Sequence, residues 1–375
     1  MPFKLSKVSH PGLNLFHRNI PPLLLLAILI SSPHSDPKPA LISTHPMASD
    51  TAKAPADCLY EPAQDSLILH ALDRLYAMDY AQAETMLERL PGIPARAYFR
   101  GLVLVNRFND LGDTSALFKA QALWDSLDLA LDSLSHLPEN RIVGKRAGNG
   151  PGLYLGLTEL QLSYVAGVTG RQVRAARLAS KAVGRLDPFA DIAEAEAALA
   201  LYEYYRASLL KGVDWVPFVK ADQNGPLTRL EGSIPRSRYL RDILQTTLLW
   251  LYYDRGQYDA GLSRIGAFLA RYPQNRLYRQ IQADFLFRKG DVKGAQKIHE
   301  SLKQEYLGMN KAYPAPIYLP IGYLSSVGNL AKIYSASKRL DSLQAQLAIW
   351  QAPDSKRIMD WLPASLKREV KSLKK

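Results

Sequence analysis

The residue types that most often carry chemistry are few in this sequence and lie far apart. The chain has seven histidines and a single cysteine, Cys58. Four of the histidines precede Pro46, and the other three, His70, His136 and His299, are separated by long intervals. No H-E-x-x-H, C-x-x-C or G-x-S-x-G motif occurs. We therefore expect no metal site, no cofactor and no catalytic nucleophile, and a protein that is not an enzyme.

Two close pairs of carboxylates have the residue types that acid and base chemistry uses. Asp110 and Asp113 form one pair, and Glu194 and Glu196 form the other. Such pairs act as general acid and base when a fold places them in a cleft. Carboxylates beside helix starts more often cap the helix or face solvent, and we expect those roles here. Asp113, just after Gly112, is a candidate N-cap for a long helix.

The glycine-rich loop GKRAGNGPG, residues 144–152, is the only stretch that resembles a phosphate cradle. No strand is predicted before it, and neither the P-loop spacing nor G-x-G-x-x-G is complete. The loop is more typical of a hinge between helical hairpins.

The best candidates for partner binding form an aromatic and basic cluster. Tyrosine, tryptophan and arginine dominate binding hot spots. An alternative is that the tyrosines fill the core, because neighbouring positions of one helix face different sides. The candidate residues are Tyr202, Tyr204, Tyr205, Arg206, Trp215 and Phe218.

The chain is basic, with a formal net charge of +12. Basic residues are scattered along predicted helices and are densest in the tail, residues 367–375. Nucleic acid is not expected as a partner, because no basic face with reading elements is evident. Anionic lipid headgroups, acidic polysaccharide or an acidic protein surface fit the charge, and so does plain solubility.

The elements that must position these residues are helical hairpins. Two successive hairpins between Leu248 and Leu302 share one register of 34 residues, the period of the tetratricopeptide helix-turn-helix repeat. Glycine suits the turns, small residues suit close helix contacts, and Pro273 stops a helix. The equivalent pairs are Tyr252 and Leu286, Gly256 and Gly290, Tyr258 and Val292, Gly261 and Ala295, and Phe268 and Leu302.

The chain resembles the tetratricopeptide repeat family in Leu248, Tyr252, Gly256, Tyr258, Gly261, Ile265 and Pro273, then in Ala283, Leu286, Gly290 and Ala295. It departs at Leu249, where a small residue is usual, and at Leu307, where proline is expected. The resemblance implies an all-α, right-handed solenoid of antiparallel hairpins whose concave surface binds a protein partner.

A degenerate hairpin is predicted between Asp65 and Leu90, with Met78 in place of the turn glycine. A further hairpin turns at Gly170, with Gly156 and Ala175 as its small contact residues. Over about residues 60–310 the order of parts resembles a group of exported bacterial tetratricopeptide proteins. That resemblance is carried by Asp187, Pro188, Asp191, Tyr202, Tyr204 and Tyr205, although Ala200 replaces a common glycine.

The N-terminus has the layout of a secretory signal. Basic residues Lys4, Lys7 and Arg18 precede the apolar run Ile20–Ile30, and a segment rich in proline and serine follows. The apolar run is shorter than the roughly 20 residues that span a bilayer. We expect export to the periplasm or to the outer membrane. Alternatives are an inner-membrane anchor formed by residues 20–30 and an unexported protein that starts at Met47.

The sequence therefore predicts a protein-interaction scaffold at the bacterial cell envelope. The alternative is a peripheral protein that binds a membrane or an acidic polymer through its basic surface and C-terminal tail. The predicted parts are a signal peptide (1–32), a disordered lead-in (33–58), degenerate hairpins with a long helix (59–138), extended hairpins (139–210), an insert containing proline and glycine (211–241), two regular repeats (242–307), and a C-terminal hairpin with a basic capping helix (308–375).

Overall fold

Helices account for nearly all of the residues that can be described in the computed structural model. These are residues 62–91, 93–135, 151–210, 223–311, 321–352 and 364–373, with Ser355, Met359 and Leu362. The helices of this part are α1 (Pro62–Tyr76), α2 (Tyr80–Glu88), α3 (Ile93–Leu111), α4 (Thr114–Ser135), α5 (Pro151–Val168), α6 (Gln172–Leu186), α7 (Ala193–Leu210), α8 (Asn224–Ser233), α9 (Arg241–Asp254), α10 (Tyr258–Arg271), α11 (Arg276–Lys289), α12 (Val292–Lys311), α13 (Ile321–Ala336), α14 (Leu340–Gln351) and α15 (Ala364–Ser372).

The prediction of an all-α protein is confirmed, since the described residues contain no strand. Helices that follow one another in the chain also pack on one another, as in α1 with α2, α5 with α6, and α11 with α12. Short 3-10 helices at Asp187–Phe189 and Ile234–Arg236 connect the longer elements.

Five hairpins turn in the same way. At Gly256 the backbone has a φ of +70°, its N–H donates to the Tyr253 carbonyl (3.2 Å), and the next N–H donates to Tyr252 (2.9 Å). This is the Schellman motif, in which one left-handed residue ends a helix. Gly256 and Gly290, the glycines predicted to form hairpin turns, both adopt positive φ. The equivalent left-handed residues are Met78, Gly170, Gly256, Gly290 and Lys338.

The predicted close contacts at small residues are present. A Cβ atom on Gly261 would lie 2.0 Å from a ring carbon of Phe285, and one on Gly156 would lie 2.6 Å from Leu186. Gly156 faces its own hairpin partner, α6, as expected. Gly261 instead receives Phe285 from α11, so that glycine is required by the contact between successive hairpins.

The predicted insert over residues 211–241 is partly helical. Its second half forms α8 and a 3-10 turn, with Leu227 and Leu230 buried. Pro226 lies in the first turn of α8, where a missing N–H breaks no helical hydrogen bond. Residues 211–222 lie outside the described part.

The N-terminal hairpin also packs against helices far along the chain. Asp110 of α3 is fully buried and accepts hydrogen bonds from Tyr80, Arg276 Nε (3.0 Å) and the Tyr306 hydroxyl (2.7 Å). Asn275 donates to the Tyr76 carbonyl at 2.8 Å. The contacts of Arg276, Tyr306 and Asn275 join residues 166 to 199 positions apart, whereas a simple repeat array joins only neighbouring repeats.

The C-terminal helix α15 lies where a basic capping helix is predicted. Its apolar residues Leu366 and Val370 are buried against the helices before it, and Arg368 and Lys371 are exposed. Its apolar side is therefore used by the protein's own core.

Among the residues that the structure describes, no helix is both long and apolar enough to cross a membrane. The predicted signal peptide, the apolar run 20–30 and the lead-in 33–58 lie outside those residues, as do residues 144–150 of the glycine-rich loop.

Candidate functional site

The predicted aromatic cluster is divided between core and surface. Tyr204 is buried, and its ring meets that of Tyr205 edge-on with centroids 5.9 Å apart. Tyr205 is half-buried against the core, so the core alternative describes these two residues. Tyr202 is half-buried and Arg206 is exposed on α7.

The other two members of that cluster, Trp215 and Phe218, lie outside the described residues. Among the four candidates that are described, burial of Tyr204 removes it from the surface, and the role of all six in partner binding stays a prediction.

The carboxylate pairs act within the fold. Asp113 caps α4 by accepting a hydrogen bond from the Ala116 N–H at 3.2 Å, as predicted. Glu194 and Glu196 also accept hydrogen bonds within the protein, Glu194 from the Ser237 hydroxyl and Glu196 from Arg236. They hold the segment that follows α8, and that segment forms one wall of a cleft.

We call this cleft the arginine cleft. It has a volume of about 370 Å³ and lies between α1, the segment leading into α9, and the end of α10. Ligand sites in proteins commonly have volumes of roughly 300–1,000 Å³. It is lined by Leu69, Leu72, Asp73, Tyr76, Pro235, Arg236, Ser237, Arg238, Tyr239, Arg241, Asp242, Arg271 and Tyr272.

Glu194 of α7 holds one wall of the arginine cleft in place. This buried carboxylate accepts hydrogen bonds from the Ser237 hydroxyl (2.9 Å) and from the N–H groups of Arg238 (3.0 Å) and Tyr239 (3.4 Å). Bonds from several donors to one ionised acceptor are stronger than neutral ones. The backbone of residues 237–239 is therefore held in a single conformation.

The same wall is tied to α1 by Asp65. Its carboxylate accepts from Arg238 Nε at 2.7 Å and from the Tyr239 hydroxyl at 2.5 Å. The hydrogen bond from Arg238 lowers the pKa of Asp65, against the opposing effect of burial. Arg238 is thus already neutralised by a carboxylate of the protein.

The opposite wall is tied to α1 by Asp73. One oxygen of its carboxylate accepts from the Tyr272 hydroxyl at 2.7 Å and lies 3.3 Å from an Arg271 nitrogen. The Arg271 guanidinium also lies over the Tyr272 ring, 4.8 Å from its centroid. This wall combines a partly exposed cation with an aromatic face.

Tyr76 closes the inner end of the cleft. Its side chain is only 6 % exposed and packs against Phe268 and Tyr272. Burial raises the pKa of Tyr76 well above its usual value, so the hydroxyl stays a neutral donor. Within the described part of the protein that hydroxyl has no hydrogen-bond partner.

Arg241 and Asp242 lie beside Tyr76. Arg241 Nε is 3.8 Å from the Asp242 carboxylate, longer than the roughly 2.7–2.9 Å of a good charge-assisted hydrogen bond. Burial raises the pKa of Asp242, against the opposing charges of Arg241 and Arg271. Arg241 is therefore the cation of the cleft with the weakest internal pairing.

This arrangement favours binding of an anionic group. Arginine guanidinium groups recognise carboxylates and phosphates through paired N–H donors. Within the described residues, no group of three or more histidine, cysteine, aspartate or glutamate side chains could hold a metal ion.

The amino-acid sequence matches no protein-family model and no curated protein.

The cleft was not predicted from the sequence, although the sequence contains one indication of it. Arg236, Arg238 and Arg241 fall within six residues, in a segment otherwise assigned to an insert. Asp65, the partner of Arg238, belongs to α1 and lies 173 residues earlier, so no local pattern could have joined the two.

Proposed function

We propose that this protein is a non-enzymatic scaffold of the bacterial cell envelope, built as a right-handed solenoid of tetratricopeptide-like hairpins, and that it binds a protein partner at the arginine cleft. The partner contact is at the junction between the N-terminal hairpin and the regular repeats.

The repeat part of the proposal is supported by the two hairpins in a 34-residue register. Gly256 and Gly290 occupy equivalent left-handed turns, and the small residues Gly261 and Ala295 are both buried. A helical array of this kind offers an extended surface in place of an enclosed catalytic pocket.

The observation that carries the binding proposal is the arginine cleft itself. It gathers four arginines with a buried, unpartnered hydroxyl between elements whose positions are fixed by Asp65, Asp73 and Glu194. A rigid site loses little entropy when a partner binds, so its contacts count fully toward affinity.

Export is supported by the basic, apolar and polar order of residues 4–35. Fractionation of the native host with N-terminal sequencing tests it. A periplasmic or outer-membrane form that begins after about Ser32 is the expected result. A protein that starts at Met47 in the cytoplasm would overturn the envelope address.

Binding is tested by placing a photoreactive amino acid at Leu69, on the rim of the cleft, in the native host. We expect one dominant crosslinked protein. The same group at Val173, which is 68 % exposed and lies outside the cleft, is the control. Equal labelling from both positions, or none from Leu69, would reject the cleft as the partner site.

The alternative, binding to a membrane or acidic polymer through the tail, draws on the exposed Arg368 and Lys371. It predicts that Arg368→Gln combined with Lys371→Gln, which leaves the buried Leu366 and Val370 in place, weakens binding to anionic vesicles while crosslinking from Leu69 is unchanged.

A further inference from the structure

Resting on the proposed function, we infer that the occupant of the arginine cleft is an acidic peptide segment of the partner, with one of its carboxylates between the Arg241 guanidinium and the Tyr76 hydroxyl. The chemistry of the lining carries this assignment in four steps.

The first step is the free hydroxyl. A buried polar group left without a hydrogen bond destabilises the folded protein. The Tyr76 hydroxyl lacks a partner within the described residues, and Tyr76 lines the cleft while its ring packs against Phe268 and Tyr272. A ligand oxygen that accepts from it would remove that destabilisation.

The second step is the choice of cation. Arg236 is paired with Glu196, Arg238 with Asp65, and Arg271 with Asp73 at 3.3 Å. Arg241 has only the 3.8 Å contact to Asp242, and its side chain is 47 % exposed. It is the guanidinium best able to turn its donors toward an incoming anion.

The third step is the charge of the ligand. Asp73 and Asp242 line the same cleft as the arginines. Because each of the four arginines already has a carboxylate partner, the lining is close to neutral, and taking a dianionic phosphate out of water there costs more than taking a carboxylate with one charge. The balance of the lining therefore favours a singly charged carboxylate.

The fourth step is the apolar side of the cleft. Leu69, Leu72 and Pro235 line it beside the charged groups. They offer contact to an aliphatic neighbour of the acidic residue, which a peptide supplies and a free inorganic anion lacks. A segment that alternates glutamate and leucine has this pattern.

The experiment uses the full mature chain and a fluorescein-labelled peptide of alternating glutamate and leucine, with binding followed by fluorescence anisotropy. We expect saturable binding that weakens as salt is added, because exposed charges are screened. The same peptide with glutamine in place of glutamate should bind at least tenfold more weakly, and inorganic phosphate should compete poorly.

Tyr76→Phe is the most specific test of the proposed contact, because it removes only a hydroxyl that has no partner within the described residues and leaves the ring packing in place. It should weaken peptide binding about tenfold without lowering the thermal unfolding temperature. Arg241→Gln should weaken binding by a similar or larger factor. Arg177→Gln, an exposed arginine on α6, is the matched control and should bind as the wild type does.

Wild-type affinity in both Tyr76→Phe and Arg241→Gln would overturn the inference, and so would equal binding of the glutamine peptide. Strong competition by phosphate would assign the cleft to a phosphorylated ligand instead. If crosslinking from Leu69 still captures a partner in any of these cases, the proposed scaffold function stands and only the assignment of an acidic peptide ligand is rejected. If the peptide binds but no protein is crosslinked from Leu69, the assignment of an acidic ligand to the cleft stands and the proposed protein partner is rejected.

Discussion

At the scale of single residues, the conformations that strain the chain lie at its hairpin turns. Three of the five Schellman turns use glycine, and two use Met78 and Lys338, with φ of 66° and 56°. The left-handed conformation costs a residue with a Cβ atom roughly 1–2 kcal/mol. The two non-glycine turns are therefore places where stability can be gained.

Replacing Lys338 with glycine should stabilise the protein. The side chain is exposed, so little packing is lost. After the extra entropy of glycine in the unfolded chain is subtracted, the gain should be about 0.5–1 kcal/mol in the free energy of unfolding. Urea unfolding measures it. Arg339→Gly, one residue on at a φ of −91°, is the control and should give no gain.

The contribution of Glu159 to the stability of the protein should depend on pH. Its side chain is fully buried on α5, with the Lys181 ammonium 2.8 Å away. Burial raises the pKa of Glu159, and the neighbouring Asp128 adds to the effect. A carboxyl whose pKa is raised on folding contributes stability below its ordinary pKa and loses that contribution as the pH rises through the folded value.

Glu159→Gln should therefore be increasingly stable relative to the wild type as the pH is raised from about 4 to 7, with an advantage on the order of 1 kcal/mol. Urea unfolding over that pH range tests it. Lys181→Met should have the opposite effect, because it removes the nearby positive charge. Parallel pH profiles for the wild type and Glu159→Gln would refute the account.

At the scale of elements, Asp110 holds four helices together. Its buried carboxylate accepts donors from the start of α2, from α11 and from α12, while it belongs to α3 itself. Arg276 is only 9 % exposed and also contacts Glu305 at 3.1 Å. The loss of the charge on Asp110 would leave this guanidinium poorly compensated.

Asp110→Asn should lower the free energy of unfolding by about 3–5 kcal/mol, as expected when one partner of a buried ion pair is removed. Asp125→Asn is the matched control. It breaks the pair with Arg174, in which both side chains are 41 % exposed, and should change stability by less than about 1 kcal/mol. Similar losses of unfolding free energy in the two variants would show that the buried ion pair contributes no more to stability than the exposed one.

The sequence predicted the elements well because hairpins are local. The turn glycines and the small contact residues of each hairpin depend on residues within a few helical turns of each other. The helix in the second half of the insert was not predicted, because proline and glycine usually interrupt helices. Pro226 instead lies in a first turn, and Leu227 and Leu230 are buried.

The cleft could not be predicted for a different reason. Its geometry depends on Asp65 meeting Arg238 and on Asp73 meeting Tyr272, pairs 173 and 199 residues apart. No periodicity of a single chain encodes such a meeting. The aromatic cluster around Tyr204 was a reasonable candidate, yet burial of that ring depends on which side of α7 faces the core.

At the scale of the whole molecule, the long-range contacts predict coupled opening. Because α1 and α3 are bonded to residues 238–306, the first hairpin and the regular repeats should exchange backbone amide hydrogens as one unit. Asp110→Asn should speed exchange in residues 62–111 and 272–306 together, and leave residues 151–186 slower to respond. Hydrogen-exchange mass spectrometry tests this. Faster exchange confined to residues 93–111 would mean that the segments open separately.

The bond between Asp110 and Arg276 also limits how such a chain can evolve. Repeat arrays commonly lengthen or shorten by gain or loss of whole units, since each unit touches only its neighbours. Here a hairpin added or lost between α3 and α11 would carry Arg276 away from its carboxylate and pull apart both walls of the cleft. Homologues should therefore keep the number of hairpins between α3 and α11 constant.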